Sequence, residues 1–202
     1  MNLISKLIYN FILLPLLMIL TLIGALFNKK IRTGISGRLK SIDSLKEFSK
    51  QLKPRNICYW FHAASYGEYE QIRPVLAGLK EVELHAKIIV SFFSPSGYNN
   101  VHDDHIDCKI YLPFDFPWTI RKAMKLTRPK KLIFAAYDIW PNLIWSAHRR
   151  KIHATLFAAR FVKGTKKLKP IIRNFYRSVY RCFKTIYTVD ESDYLRVQNL
   201  VK

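Results

Sequence analysis

The sequence predicts an α/β fold: a parallel sheet with helices on both faces, preceded by one apolar anchor helix. Three observations carry that prediction. Short apolar runs recur at Ile57–Phe61, Lys87–Phe93, Lys109–Leu112, Lys131–Tyr137, Thr155–Ala159 and Thr185–Val189. Helix-patterned stretches separate them, and strand–helix alternation at this spacing argues for parallel pairing through right-handed crossovers. The residues just after each run are polar, small or glycine, whereas the amino ends carry mainly lysine and proline. That sorting marks one sheet edge as a cleft, because ligands of open α/β sheets bind outside the carboxyl ends of the strands.

The chain begins with an apolar segment. Phe11 to Phe27 is a run without a charge, extended back to Leu7, and its length falls within the range that crosses a bilayer. Lys6 precedes it, and Lys29, Lys30, Arg32, Arg38 and Lys40 follow, so the bulk of the chain is expected on the cytoplasmic side. Pro15 should kink the helix, which leaves a half-inserted interfacial arrangement open beside a spanning one. We therefore assign 1–28 to the anchor, 29–54 to a basic, mostly helical connector, and 55–202 to the sheet domain.

Within that domain the helical stretches fall near Tyr66–Lys80, Pro117–Leu126, Leu143–Arg149, Lys166–Phe183 and Ser192–Val201, with a shorter helix at Asn99–Asp104. Pro74 should bend the first of these. The composition fits a domain with a substantial core, since half of the 202 residues are apolar. Thirty-four Lys and Arg against fourteen Asp and Glu give a net charge of +20, which implies an anionic partner. Cys58, Cys108 and Cys182 are scattered and odd in number, so they form neither a metal spacing nor a disulfide framework.

The stretch Trp60-Phe61-His62-Ala63-Ala64-Ser65-Tyr66-Gly67-Glu68 runs from a strand into a helix and places a carboxylate in its first turn. Glu68 is a candidate general base there, although Ser65-x-x-Glu68 also fits a capping box. Asp138 leaves another strand at the same edge and could place negative charge beside a developing cation; it also fits a helix start, with Pro141 at an early helical position. Ser94-Pro95-Ser96-Gly97 could cradle a phosphate on backbone N–H groups or form a plain turn and N-cap. His62 reads as a hydrogen-bonded structural histidine. The run His102, Asp103, Asp104, His105 and Asp107 reads as a solvated loop in preference to a metal cluster.

Trp118, Trp140, Trp145 and Tyr137 fit core packing or a stacking platform for a sugar or acyl chain. A strongly basic helix carries Lys163, Lys166, Lys167, Lys169, Arg173, Arg177 and Arg181. Interleaved Leu168, Ile171, Ile172, Phe175 and Tyr176 give it a buried stripe, so it could face anionic lipid or nucleic acid.

Four motifs in order, His62-Ala63-Ala64-Ser65-Tyr66-Gly67-Glu68, Phe93-Ser94-Pro95-Ser96-Gly97-Tyr98, Tyr111-Leu112-Pro113-Phe114-Asp115 and Trp140-Pro141-Asn142, resemble the amino-terminal half of the 3-deoxy-D-manno-octulosonate (Kdo) transferases. The resemblance runs from the anchor, through Gly37-Arg38-Leu39, to Lys202. It implies a Rossmann-like, acceptor-binding domain of a GT-B glycosyltransferase at the cytoplasmic face of the inner membrane. The reaction implied is metal-independent, inverting transfer of Kdo from CMP-Kdo to a lipid A precursor.

By the same resemblance Glu68 is the general base and Asp138, just ahead of Trp-Pro-Asn, stabilises the transition state. Ser65, Gly67, Ser94, Ser96, Gly97 and Arg160 are the candidate acceptor-binding residues. The family usually has glutamate where this chain has Asp138, a reach shorter by about one C–C bond. A misplacement of about 1 Å can cost on the order of a hundredfold in rate. The family's donor-binding half is expected beyond Lys202, so CMP-Kdo binding is expected to need a separate donor-domain polypeptide. The rival readings are a non-catalytic module on an anionic membrane surface and, ranking last, a nucleic-acid binder.

Overall fold

The computed structural model describes residues 3–136, 138–161, 163 and 170–202. Six strands form one all-parallel sheet: β1 Ile57–Ala63, β2 Ala86–Phe92, β3 Cys108–Tyr111, β4 Lys131–Ala135, β5 His153–Ala159 and β6 Thr185–Thr188. Their order is β3-β2-β1-β4-β5-β6, so the winding reverses between β1 and β4. All six strands expected from the sequence are present, each displaced by no more than two residues at either end.

The sheet is buried on both faces, as parallel sheets must be when crossover helices cover them. The two-residue period of a strand sorts its side chains between the two cores. Cys58 and Trp60 of β1 join one cluster with Ile89, Leu132 and Leu156. Tyr59, Phe61 and Ala63 join the other, under Tyr69, Ile72 and Leu76 of α4 (Tyr66–Val82). The remaining helices are α5 Pro95–Asn100, α6 Pro117–Thr127, α7 Pro141–Arg149, α8 Pro170–Tyr180 and α9 Glu191–Val201.

The short helix expected at Asn99–Asp104 lies earlier, at Pro95–Asn100. Ser94 caps it by accepting from the Gly97 amide, and Pro95 fits the first helical position, where a missing N–H costs nothing. Of the expected Lys166–Phe183 helix, α8 covers Pro170–Tyr180, while Lys166, Lys167, Leu168 and Lys169 lie outside the described residues. So does Tyr137.

The amino-terminal segment is a nearly continuous helix: α1 Leu3–Ile8, a π-turn at Tyr9–Leu13 and α2 Leu14–Phe27. The π-turn takes up the strain of Pro15, whose ring would press on the carbonyl four residues earlier. Asn28 then breaks the helix and caps α3 (Lys29–Gln51), accepting from the amides of Lys30 and Ile31. The span from Leu3 to Phe27 is long and apolar enough to cross a membrane by length and composition.

Helix α3 occupies the stretch expected to connect anchor and domain, and it packs on the sheet edge. Leu45 and Phe48 are buried in the core, and Ser41 donates to the Tyr111 carbonyl at 2.7 Å. Burial of each of those two apolar side chains contributes roughly 1.5–3 kcal/mol. Gly37 makes the close approach possible, because a Cβ there would lie 2.1 Å from the Tyr111 ring.

Candidate functional site

The reversal between β1 and β4 opens a crevice at their carboxyl ends, the place where a doubly wound sheet receives a ligand. Glu68 stands in the first turn of the helix that follows β1, and Asp138 stands three residues beyond β4. The two acids picked from the sequence therefore stand on the same sheet edge, at the exits of adjacent strands.

The local sequence fixes Glu68 firmly. Ser65 accepts from the Glu68 amide at 3.4 Å, and Glu68 Oε2 accepts from the Ala64 amide at 2.6 Å, a variant of the capping box that reaches the residue ahead of the cap. Glu68 is 8% exposed. Burial raises its pKa; the Ala64 amide opposes that, the charge of Asp138 adds to it, and His62 again opposes it. The net rise moves the carboxylate toward the pH at which a general base works best. Gly67 faces open space, since a Cβ there would meet nothing within 4 Å, so a ligand can approach the helix start closely.

Asp138 is held by a relay of rings and hydrogen bonds. His62, fully buried on β1, has Nδ1 3.0 Å from both the carbonyl and the hydroxyl of Ser91, and Nε2 3.4 Å from Asp138 Oδ2. Trp140 Nε1 donates to the same oxygen at 3.3 Å. The Trp140 ring stacks on Phe93 at 5.1 Å, and the Arg38 guanidinium lies 4.2 Å from the centre of the Phe93 ring while donating to the Phe93 carbonyl at 2.7 Å. Burial alone would raise the pKa of Asp138. The hydrogen bond and charge of His62, the Trp140 indole and the charge of Arg38 outweigh it and hold the carboxyl below its ordinary range.

The two strand exits thus carry one acid pushed up and another pushed down by their surroundings. Ala136, just ahead, adopts φ 56°. Left-handed backbone at a non-glycine residue costs roughly 1–3 kcal/mol and is typical of strained functional turns.

Two clefts border Trp140. One, of about 380 Å³, lies between the α2–α3 hairpin and the strand exits, and is lined by Leu17, Thr21, Arg38, Phe93, Ser94 and Pro113 among others. The second, of about 350 Å³, brings Asp138 beside Tyr9, Leu13, Phe175 and Tyr176. Glu68 is absent from the linings of both.

The other sequence candidates sort differently. Ser65 is the cap of α4, and Ser94 caps α5 with its hydroxyl 2.9 Å from that of Ser96. Gly97 is there for packing, since a Cβ would come 2.5 Å from the Phe92 ring. Arg160 is exposed just after β5, one strand beyond β4. Asp115, from the Tyr-Leu-Pro-Phe-Asp motif, is 1% exposed and accepts from the amides of Asn142 and Leu143 and from the Tyr9 hydroxyl. It therefore ties the start of α7 to the amino-terminal helix.

Asp103 is engaged by Tyr69 and His105, and Asp107 by Lys80 and Lys87. Arg38 escaped selection as a site residue. The only sequence signal for it was its place in Gly37-Arg38-Leu39, because its role depends on Phe93 and Trp140, both far along the chain.

Comparison with known proteins identifies relatives of this chain. The family model described as 3-Deoxy-D-manno-octulosonic-acid transferase (kdotransferase) matches residues 34–202. A 3-deoxy-D-manno-octulosonic acid transferase of Aquifex aeolicus is 33% identical over 118 residues, 56% of this chain and 33% of that protein. One of Haemophilus influenzae is 32% identical over 103 residues, 50% of this chain and 24% of its own length. A bifunctional glycosyltransferase/methyltransferase of Fusobacterium nucleatum is 25% identical over 168 residues, 79% of this chain and 25% of that protein. The chain thus spans about a quarter to a third of the relatives it matches. With a family match across most of its length, the chain belongs to the 3-deoxy-D-manno-octulosonic-acid transferase family.

Proposed function

We propose that this domain supplies the acceptor side of Kdo transfer from CMP-Kdo to a lipid A precursor, at the cytoplasmic face of an anionic inner membrane. The observation that carries the reading is the pair Glu68 and Asp138, leaving adjacent strands where the sheet order reverses. Glu68 accepts the proton of the acceptor hydroxyl, and the free oxygen attacks the anomeric carbon of Kdo as CMP departs. Asp138, kept ionised by His62 and Arg38, stabilises the positive charge that gathers on the sugar ring. A second, donor-binding domain holds the nucleotide across the crevice. The apolar cleft between α2 and α3, with Arg38 and Lys30 at its walls, suits the acyl and phosphate parts of the acceptor.

A second reading has its own support: Glu68 Oε2 already serves the capping box, so the domain could bind anionic lipid without catalysis. The test is Kdo transfer to a radiolabelled lipid A precursor by membranes containing the chain together with a family donor-binding domain. Transfer supports the enzyme. Retained precursor without transfer leaves only the lipid-binding module.

A further inference from the structure

We infer that the helix Leu3–Phe27 lies along one leaflet of the bilayer, with both ends on the same side, instead of crossing it. The inference rests on the membrane placement proposed above and adds how the segment inserts. The argument is one of reach, because both ends of the helix are fastened to the same domain.

Near the amino end, Ser5 and Tyr9 are buried. Tyr9 donates to Asp115 at 2.9 Å and meets Trp145 edge-on at 5.8 Å. Asn10 and Asn142 exchange side-chain hydrogen bonds, the shorter at 2.7 Å. At the other end Asn28 turns the chain straight into α3, and Gly24 packs against Ile31. Helix α3 is itself held to the sheet domain by Arg38 at the Phe93 carbonyl and Ser41 at the Tyr111 carbonyl.

From Asn28 to Arg38 is ten residues, about 15 Å of helix at 1.5 Å per residue. Even with the reach of the Arg38 side chain added, the turn stands closer to the sheet edge than the hydrocarbon core is thick, about 30 Å. A helix that crossed would carry one of its two fastenings, and the domain with it, to the opposite side.

The outer side of the segment is made for hydrocarbon. Little of the segment is buried, and Leu3, Phe11, Leu20, Leu26 and Phe27 are exposed. Its ends are made for headgroups, with Lys6 near one and Lys29, Lys30 and Arg32 at the other. Cations at both ends suit a helix whose two ends meet the same anionic surface. This arrangement sets the Trp140 clefts at the level of the lipid, so an acceptor need not leave the bilayer to reach them.

The test uses the full chain in native membranes. Cys58, Cys108 and Cys182 are buried, so a membrane-impermeant maleimide reads introduced thiols. Leu3→Cys and Lys29→Cys are labelled separately in sealed inverted and right-side-out vesicles. Bimane attached at position 12 or 20 is quenched by lipids that carry spin labels at known depths. The expected result is labelling of both thiols from the cytoplasmic side only, with equal, shallow depths at 12 and 20.

Labelling of the two thiols from opposite sides, or a depth profile that peaks mid-segment, overturns the inference and leaves Kdo transfer untouched. Recovery of the chain without membrane overturns both the inference and the membrane placement. None of these readouts depends on transfer activity, so a catalytic failure is seen apart from them.

Discussion

Glu68 secures a helix start and is the proposed base, and one pair of variants separates the two roles. Glu68→Gln keeps a side-chain oxygen for the Ala64 amide, so the capping box survives, but the amide cannot take a proton. Stability should fall by less than about 1 kcal/mol, since a neutral acceptor replaces a charged one at a helix start. Transfer should fall by about 10²–10⁴, the usual contribution of a positioned general base, equivalent to roughly 3–5 kcal/mol of activation free energy.

Glu68→Ala removes both functions. It should lose a similar amount of activity and, in addition, about 0.5–2 kcal/mol of stability for the missing cap. Urea unfolding in detergent and initial rates of Kdo transfer, measured on the same preparations, give both quantities. If Glu68→Gln transfers within threefold of the parent, or loses activity only in step with stability, Glu68 is a cap and not the base.

Three further outcomes follow from particular contacts. In His62→Phe the hydrogen bond and charge that hold Asp138 down are gone, so its carboxyl titration, followed by infrared difference spectra against Asp138→Asn, should move to higher pH; an unmoved titration would show that His62 does not hold Asp138 ionised. Gly37→Ala should lower the melting temperature by a few degrees, because displacing the buried Tyr111 ring costs about 1–3 kcal/mol against the roughly 1 kcal/mol that alanine gains in a helix. Burial pushes Asp115 up from 3.8 to about 7. A raised folded-state pKa gives stability that is fully present below about pH 4 and lost as pH climbs through 7, on the order of 4 kcal/mol in all. Urea midpoints should fall between pH 5 and 8 in the parent, and the fall should flatten in Asp115→Asn.

The sheet was legible because each strand is a short apolar run with turn residues after it, and because burial on both faces leaves no polar alternation to confuse the reading. Glu68 and Asp138 were legible for a related reason: residues at strand exits need no tertiary information to be placed on one edge. The Arg38–Phe93–Trp140–Asp138 relay was not, since it joins α3, the β2 exit and the β4 exit across about a hundred positions. Helix α3 was read as a connector on the strength of its lysines. Its buried residues Ser41, Leu45 and Phe48 sit three and four apart, with buried Gly34 two turns earlier, and that stripe was the overlooked sign of a packed face. The motif ending in Asp115 entered the sequence reading only through the family resemblance, and in the structure its carboxyl holds a helix start and a tyrosine together.

That joint has a practical bearing on purification. Cutting the polypeptide ahead of Lys29, the obvious route to a detergent-free sample, would remove the phenol from Asp115 and the amide partner from Asn142, and would leave the rings of Trp145 and Phe175 facing water. The trimmed protein would swap one greasy surface for another and lose a keystone in the exchange. Keeping the leader and giving it an amphiphile is the sounder preparation.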